Sequence, residues 1–133
     1  MLIIIRLFVL SVLFVMSTTA KAELPLPIAS LIERQTLGNL AEITQHGSAN
    51  SVWLEQLGQA NVALLHQAGY FNQLELIQHG HGNQALISQF NQSNQVTIMQ
   101  QGDFNLIQVE QHGNSGFSLQ QIGHGAEVSI IQY

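Results

Sequence analysis

The sequence predicts an all-β chain folded as a β-solenoid, with two strands per coil and a coil every 22 or so residues. Three observations carry that expectation. A polar skeleton, Q-x-G-x-x-N, first seen in Gln45-His46-Gly47-Ser48-Ala49-Asn50, returns about every eleven residues as far as Gly125. Between its returns apolar and polar residues alternate, the period of a strand with one buried face. A glycine stands at a fixed place in nearly every unit, where a chain reversing direction needs positive φ.

Each unit reads as a seven-residue strand followed by a four-residue turn, as in Asn39-Leu40-Ala41-Glu42-Ile43-Thr44-Gln45. First, third, fifth and seventh positions share a face. The third position runs Ala41, Val52, Ala63, Leu74, Ala85, Val96, Ile107, Phe117, Val128. The fifth runs Ile43, Leu54, Leu65, Leu76, Ile87, Ile98, Val109, Leu119, Ile130, so this face is the core. The opposite face mixes Glu42, Trp53, Glu55, Thr97 and Met99 and meets water or a partner.

Eleven residues also span three turns of α-helix. The glycines decide against that reading. Gly47, Gly58, Gly69, Gly80, Gly102, Gly113 and Gly123 would each fall inside the helix, at about 1 kcal/mol apiece relative to Ala. Two irregularities fit strands as well. The interval from Gln111 to Gln121 is one residue short, which the turn His112-Gly113-Asn114 can absorb, and at Asn91 the turn glycine is replaced by the next best residue for a left-handed backbone.

Near-identical inward residues favour a solenoid over a sandwich or barrel, because stacking alternate strands places like on like. One side then aligns Asn39, Asn61, Asn83 and Asn105, with Gln45, Gln67, Gln89, Gln111 and Gln132. The other aligns Asn50, Asn72, Asn94 and Ser115, with Gln56, Gln78, Gln100 and Gln121. Amides stacked in this way donate to one copy and accept from the other, which satisfies polar groups that would each cost roughly 1–3 kcal/mol if buried alone. Nine strands make about four and a half coils, on the order of 20 Å tall. The last strand, Glu127 to Tyr133, has neither Pro nor Lys to blunt its edge, so that end can template another chain.

The expected organisation is a signal peptide (1–22), an irregular leader (23–38) and a solenoid (39–133) of coils 39–60, 61–82, 83–104 and 105–125 with a final half-coil, 126–133. Arg6, the apolar run from Leu7 to Met16 and Ala20-Lys21-Ala22 fit a secretory signal with cleavage after Ala22. The leader holds Pro25 and Pro27 and loses the repeat. Beyond Ala22 the only Lys or Arg is Arg34, against eight carboxylates, a net charge of -7. Such a chain is a poor partner for nucleic acid, whose affinity rests on Lys and Arg at phosphates. Charged residues are 8% of the chain, more at home in an assembling protein than in a soluble monomer, and there is no cysteine to form a disulfide.

The repeat N-x-φ-x-φ-x-Q-x-G-x-x-N, with φ apolar, the signal peptide and the pairing of units into coils together resemble the curlin repeat of bacterial curli fibre subunits over Asn39 to Tyr133. That resemblance implies a secreted amyloid subunit, exported through an outer-membrane pore with accessory proteins and built into cell-surface fibres of the biofilm matrix that adhere to host or abiotic surfaces. The leader running from Ile32 to Gly38 straight into the repeat, without a glycine-rich stretch, and Gly102-Asp103-Phe104-Asn105-Leu106 look more like the minor, nucleating subunit. The ending Ile131-Gln132-Tyr133, which lacks a basic anchor, looks like the major, fibre-building subunit; of the two the minor subunit is the favoured reading and the major its alternative. A reading of another class is a soluble solenoid that binds a ligand or surface through its outer face.

No catalytic or cofactor motif appears, neither G-x-S-x-G, H-E-x-x-H nor a phosphate loop, so no enzyme is expected. His46, His79, His81, His112 and His124 recur near turns, but a structural zinc needs four ligands on one centre and these fall on different coils and sides. No metal and no cofactor is therefore expected. Glu42, Glu55, Glu75, Glu110 and Glu127 read as outward, solvated charges, and Trp53, Tyr70, Phe71, Phe90 and Phe104 as outward or turn aromatics.

Overall fold

The computed structural model of the protein describes residues 38–133, so the expected signal peptide and all of the expected leader except Gly38 lie outside the described residues. Nine strands follow one another: β1 (Leu40–Ser48), β2 (Ser51–Gln59), β3 (Val62–Tyr70), β4 (Gln73–His81), β5 (Gln84–Gln92), β6 (Gln95–Asp103), β7 (Leu106–His112), β8 (Gly116–His124) and β9 (Glu127–Gln132). Odd strands form a five-stranded sheet, β1-β3-β5-β7-β9, and even strands a four-stranded one, β2-β4-β6-β8. Every pairing is parallel and in register, Ile43 opposite Leu65 opposite Ile87, Leu54 opposite Leu76 opposite Ile98. The protein is thus a β-solenoid that climbs half a coil with each strand, and no helix occurs among the described residues.

The core lies between the sheets, where the third and fifth positions of both meet. Ala63, Leu65, Leu74, Leu76, Ala85, Ile87, Val96, Ile98, Ile107 and Val109 are buried, with Val52, Leu54, Phe117, Leu119, Val128 and Ile130 packed partly against them. Each fully buried Leu, Ile or Val contributes about 1.5–3 kcal/mol relative to exposure. Burial fails only at the ends of the stack: Ile43, in the same column as the buried Leu65, is 42% exposed. Val62 departs from the alternation, for it occupies an outward position yet is buried, with Leu40 and Gln84 flanking it in the ladder.

Strands run longer than the seven-plus-four division expected from the repeat. The ladder continues past the glutamine through the glycine, pairing Gly47 with Gly69 and Gly58 with Gly80. The glycine is therefore part of the strand, and the sharp corner falls two residues later, at Ala49 (φ 55°), Ala60 (57°), Phe71 (58°), Ser93 (57°) and Phe104 (56°). A left-handed conformation costs a non-glycine residue roughly 1–2 kcal/mol. Hydrogen bonds to the neighbouring coil hold it there, as when Phe71 N donates to Ser48 O (3.1 Å) and Phe104 N to His81 O (2.8 Å).

Why the glycine is required is then plain. At Gly80 (φ 125°) a Cβ would stand 2.0 Å from the carbonyl oxygen of Gly102 in the next coil, and at Gly58 2.0 Å from that of Gly80. Coils stacked at β-sheet spacing leave no room for a side chain along this column. Asn91 breaks the column where the next coil is also irregular. The residue stacked over it, Gly113, follows the end of the shortened β7, and a Cβ at Gly113 would meet the Asn91 Cβ at an ordinary 3.6 Å. The missing residue between Gln111 and Gln121 and the missing glycine at Asn91 are thus one adjustment, in which the early turn above makes room for the side chain below. Register recovers at once, with Gln100 opposite Gln121.

Accordingly, Gly80→Ala should abolish the fold, at more than about 4 kcal/mol, since the clash is with backbone. Gly113→Ala should cost only about 1 kcal/mol, the strain of its positive φ (73°). Far-UV circular dichroism and urea denaturation of the freshly prepared chain check both; equal losses would show that inter-coil contact does not select the glycine.

Candidate assembly interface

β1 to β7 each begin after an asparagine, β8 after Ser115 and β9 after Ala126, and every strand carries a glutamine at its sixth position; the asparagine and glutamine side chains turn into the corners between the sheets. Asn61, Gln67, Asn72, Gln78, Asn83, Gln89, Asn94, Gln100, Asn105 and Gln111 are completely buried. They survive burial because each repeats one coil away. Gln45 Nε2 donates to Gln67 Oε1 (2.7 Å), Gln67 to Gln89 (2.7 Å), Gln89 to Gln111 (2.9 Å) and Gln111 to Gln132 (3.1 Å). The second ladder runs Gln56 to Gln78 (2.9 Å), Gln78 to Gln100 (2.8 Å) and Gln100 to Gln121 (3.0 Å). The second proton of each amide crosses the coil: Gln67 Nε2 donates to Ser51 O (3.0 Å) and Gln78 Nε2 to Val62 O (3.1 Å), tying one sheet to the other.

The asparagine ladders run with opposite polarity. Asn61 donates from both N and Nδ2 to Asn39 Oδ1 (3.1 and 3.2 Å), Asn83 to Asn61 and Asn105 to Asn83, each toward the N-terminal end of the stack. The other side repeats this with Asn72 on Asn50 and Asn94 on Asn72, and Ser115 Oγ donates to Asn94 Oδ1 (3.0 Å). Asparagine also caps the corner, because Asn83 Nδ2 reaches Gly102 O (2.7 Å) and Asn105 Nδ2 reaches Gly123 O (3.0 Å). Among the described residues no buried side-chain nitrogen or oxygen lacks a partner.

At the two ends these ladders stop, with no cap among the described residues. Gln45 and Gln56 offer Oε1 atoms that receive no hydrogen bond from the described residues, and Gln132 offers an Nε2 that donates to none of them. The backbone continues the pattern: Leu40 N donates to Asn61 O and Gln95 N to Ser115 O (2.8 and 2.9 Å), whereas at the edges of β8 and β9 no such coil follows. Among the described residues, then, the N-terminal end leaves two glutamine acceptors open and the C-terminal end leaves the donor of Gln132 open, while Gln121 Nε2 donates to Leu106 O and Ala126 O (3.3 and 2.7 Å).

Outside the core, the expected outward carboxylates are half-buried (Glu55, Glu75) or exposed (Glu42, Glu110, Glu127), and Trp53, Tyr70, Phe71 and Phe104 are exposed. The five-stranded face also carries a ring column that was not anticipated. His46 contacts His66, His66 contacts Phe90, Phe90 stacks on His112 and His112 on Tyr133, at centroid distances of 5.2 to 6.0 Å. Four of these residues, His46, Phe90, His112 and Tyr133, follow a glutamine directly, so the repeat already contained the signal. Burial, then the neighbouring His46, hold the His66 imidazole below its ordinary range. Its neutral form thus favours the fold, a contribution complete above the ordinary histidine pKa of about 6.5 and lost as pH falls from there through the lowered value.

Three histidines pair with single carboxylates, His79 with Glu55 (3.0 Å), His112 with Glu110 (2.6 Å) and His124 with Asp103 (3.4 Å), and the His81 ring packs edge-on against Phe104. Among the described residues no three of His, Cys, Asp or Glu converge on a point that could hold a metal ion. The shallow groove between β5, β7 and β9 includes Ser88, Glu110 and Ser129, and its carboxylate is already engaged by His112. No protein-family model matches the chain, and no curated protein matches it.

Replacing Gln78 by Leu would leave Gln100 Oε1 and Val62 O without their donor in a buried site. A loss of roughly 2–5 kcal/mol is expected. Gln45→Leu, which orphans one acceptor at the open end, should cost about 1 kcal/mol. Urea midpoints of the two variants, read before any assembly, would discriminate; equal costs would mean that ladder position does not matter.

Proposed function

We propose that this chain is a secreted amyloid subunit of the curli type, and that its activity is templated β-stacking. The observation that carries the reading is the pair of ends that no described residue covers, each a cross-section of the core where the described backbone and glutamine ladders stop. Exposed parallel edges of this kind recruit further strands, and proteins that stay monomeric blunt them with charge, proline or a covering segment. An incoming chain carrying the same repeat completes each ladder with its own amides, the arrangement that gives cross-β fibres their stability.

On this reading the chain acts at the cell surface after export through an outer-membrane pore with accessory factors, and its fibres serve biofilm matrix and adhesion. Its leader, which enters the repeat without a glycine-rich stretch, favours the minor subunit, which starts polymerisation of a major subunit, over the fibre-building major subunit. In either role the amide-ladder and glycine columns are assembly residues and not catalysts.

The mature chain, incubated at neutral pH, should yield fibres whose diffraction shows reflections near 4.8 Å and about 10 Å. In catalytic amount it should shorten the lag of a major subunit. Persistence as a dispersed monomer would favour a soluble surface-binding module instead, and long fibres from this chain alone with no effect on that lag would assign it the major role.

A further inference from the structure

Resting on the stacking activity proposed above, we propose that each joint between copies exchanges the two sheets: the incoming copy sets its five-stranded sheet on the four-stranded sheet of the copy before it, half a turn round the solenoid axis. The argument begins with the count of strands. Among the described residues five lie in one sheet and four in the other, so the described solenoid ends half a coil out of phase with its start. β8 and β9 form a ledge, β9 half a coil above β8, and at the opposite end β1 lies half a coil below β2. Both edges of the ledge are filled together only when β1 of the next copy lies on β8 and its β2 on β9. Placing β1 on β9 instead preserves the sheets and leaves the whole edge of β8 unpaired by any described strand.

The chemistry of the two ends fits this joint. Continuing the register of β6 on β8 sets the incoming Gln45 beside Gln121, and continuing that of β7 on β9 sets the incoming Gln56 beside Gln132. Glutamines here donate toward the C-terminal end, so Gln132 Nε2, which donates to no described residue, faces the Oε1 left open on Gln56. Gln121 Nε2 donates to Leu106 O and Ala126 O (3.3 and 2.7 Å) and meets the Oε1 of Gln45 as a third partner, just as Gln111 Nε2 donates to Gln95 O, Ser115 O and Gln132 Oε1. Leu40 N and Gln95 N set the rule that the first residue of a strand donates to the asparagine carbonyl, or its equivalent, one coil on. By that rule Gly116 N meets Asn39 O of the incoming copy and Glu127 N meets Asn50 O. Core volumes also match, because Phe117, the largest residue of the third-position column, meets the small Ala41.

The filament then repeats every second copy, after nine coils or about 43 Å. Along either side, the five-stranded face with its ring column alternates with the four-stranded face bearing Trp53 and Glu75. A partner that binds one face meets it on opposite sides of the filament in successive copies.

Cysteine-free sequence makes the joint easy to read. Mature chains carrying Glu42→Cys are mixed with chains carrying Ser118→Cys, or with chains carrying Ser129→Cys, all three being exposed outward positions. The mixtures are assembled and treated with a short bifunctional thiol reagent. Sheet exchange brings Cys at 42 beside Cys at 118 and puts 129 on the opposite face, so dimers should form in the first mixture and be absent from the second. Dimers in the second mixture but not the first would overturn the exchange while leaving stacking intact, and fibres with no dimer in either would overturn the end-to-end joint. Absence of 4.8 Å fibres from the wild-type chain would instead remove the stacking activity itself, so the two failures are distinguishable.

Discussion

Glutamine stacked on glutamine one coil away is the interaction on which the rest of this structure depends. A primary amide has two donors and two acceptor lone pairs, and few buried environments satisfy them. A copy of itself above, a copy below and a backbone carbonyl across the coil together do so. The requirement explains the exact repetition of residue type in these columns, whereas the core positions vary freely among Ala, Val, Leu and Ile. It also ties the two sheets together, because Gln67 and Gln78 each reach a carbonyl on the other sheet. A core only one strand-pair wide buries little apolar area per coil, so the amide ladders specify the stacking register that hydrophobic contact alone would leave loose.

Close coil spacing has a second consequence at the corners. Carbonyl oxygens of one coil occupy the place where the Cβ of the coil before would project, which restricts that column to glycine. Ordinary residues such as Phe71 and Phe104 then take left-handed backbone two residues later. Strain at those positions is repaid by backbone donation to the neighbouring coil and by the asparagine that follows. The coupled change at Asn91 and Gly113 shows how tightly the coils are linked: one side chain is admitted in the column where the chain above leaves early.

Much of this was legible in the sequence. The eleven-residue beat and its alternation specify strand identity, facing and the 22-residue register, because stacked repeats allow few other ways to satisfy Gln45 and its equivalents. Corner geometry was less legible. The glycine looked like the turn itself, and nothing in Ala49, Phe71 or Ser93 as residue types announces positive φ, since the tertiary hydrogen bonds that impose it join residues a coil apart. Opposite donor polarity of the Asn and Gln ladders could not be read either, for both residues can donate in either direction and the choice is made by the carbonyls nearby. The ring column from His46 to Tyr133 was present at the right offsets but passed as isolated turn residues. His66 joins it from the neighbouring outward position, which breaks the simple spacing.

These ladders have no internal stop, so under the proposed stacking, fold and assembly are one interaction continued across a molecular boundary. Side-chain amide hydrogen exchange, followed by NMR residue by residue, measures that interaction directly. The account predicts that the Nε2 protons of Gln67, Gln78, Gln89 and Gln100 exchange as slowly as the backbone amides of β3 to β6, with Gln132 fast until another copy covers it. Exchange of the four interior glutamines at the rate of free amides would show that the ladders are open to water, and would contradict the claim that they hold the coils together.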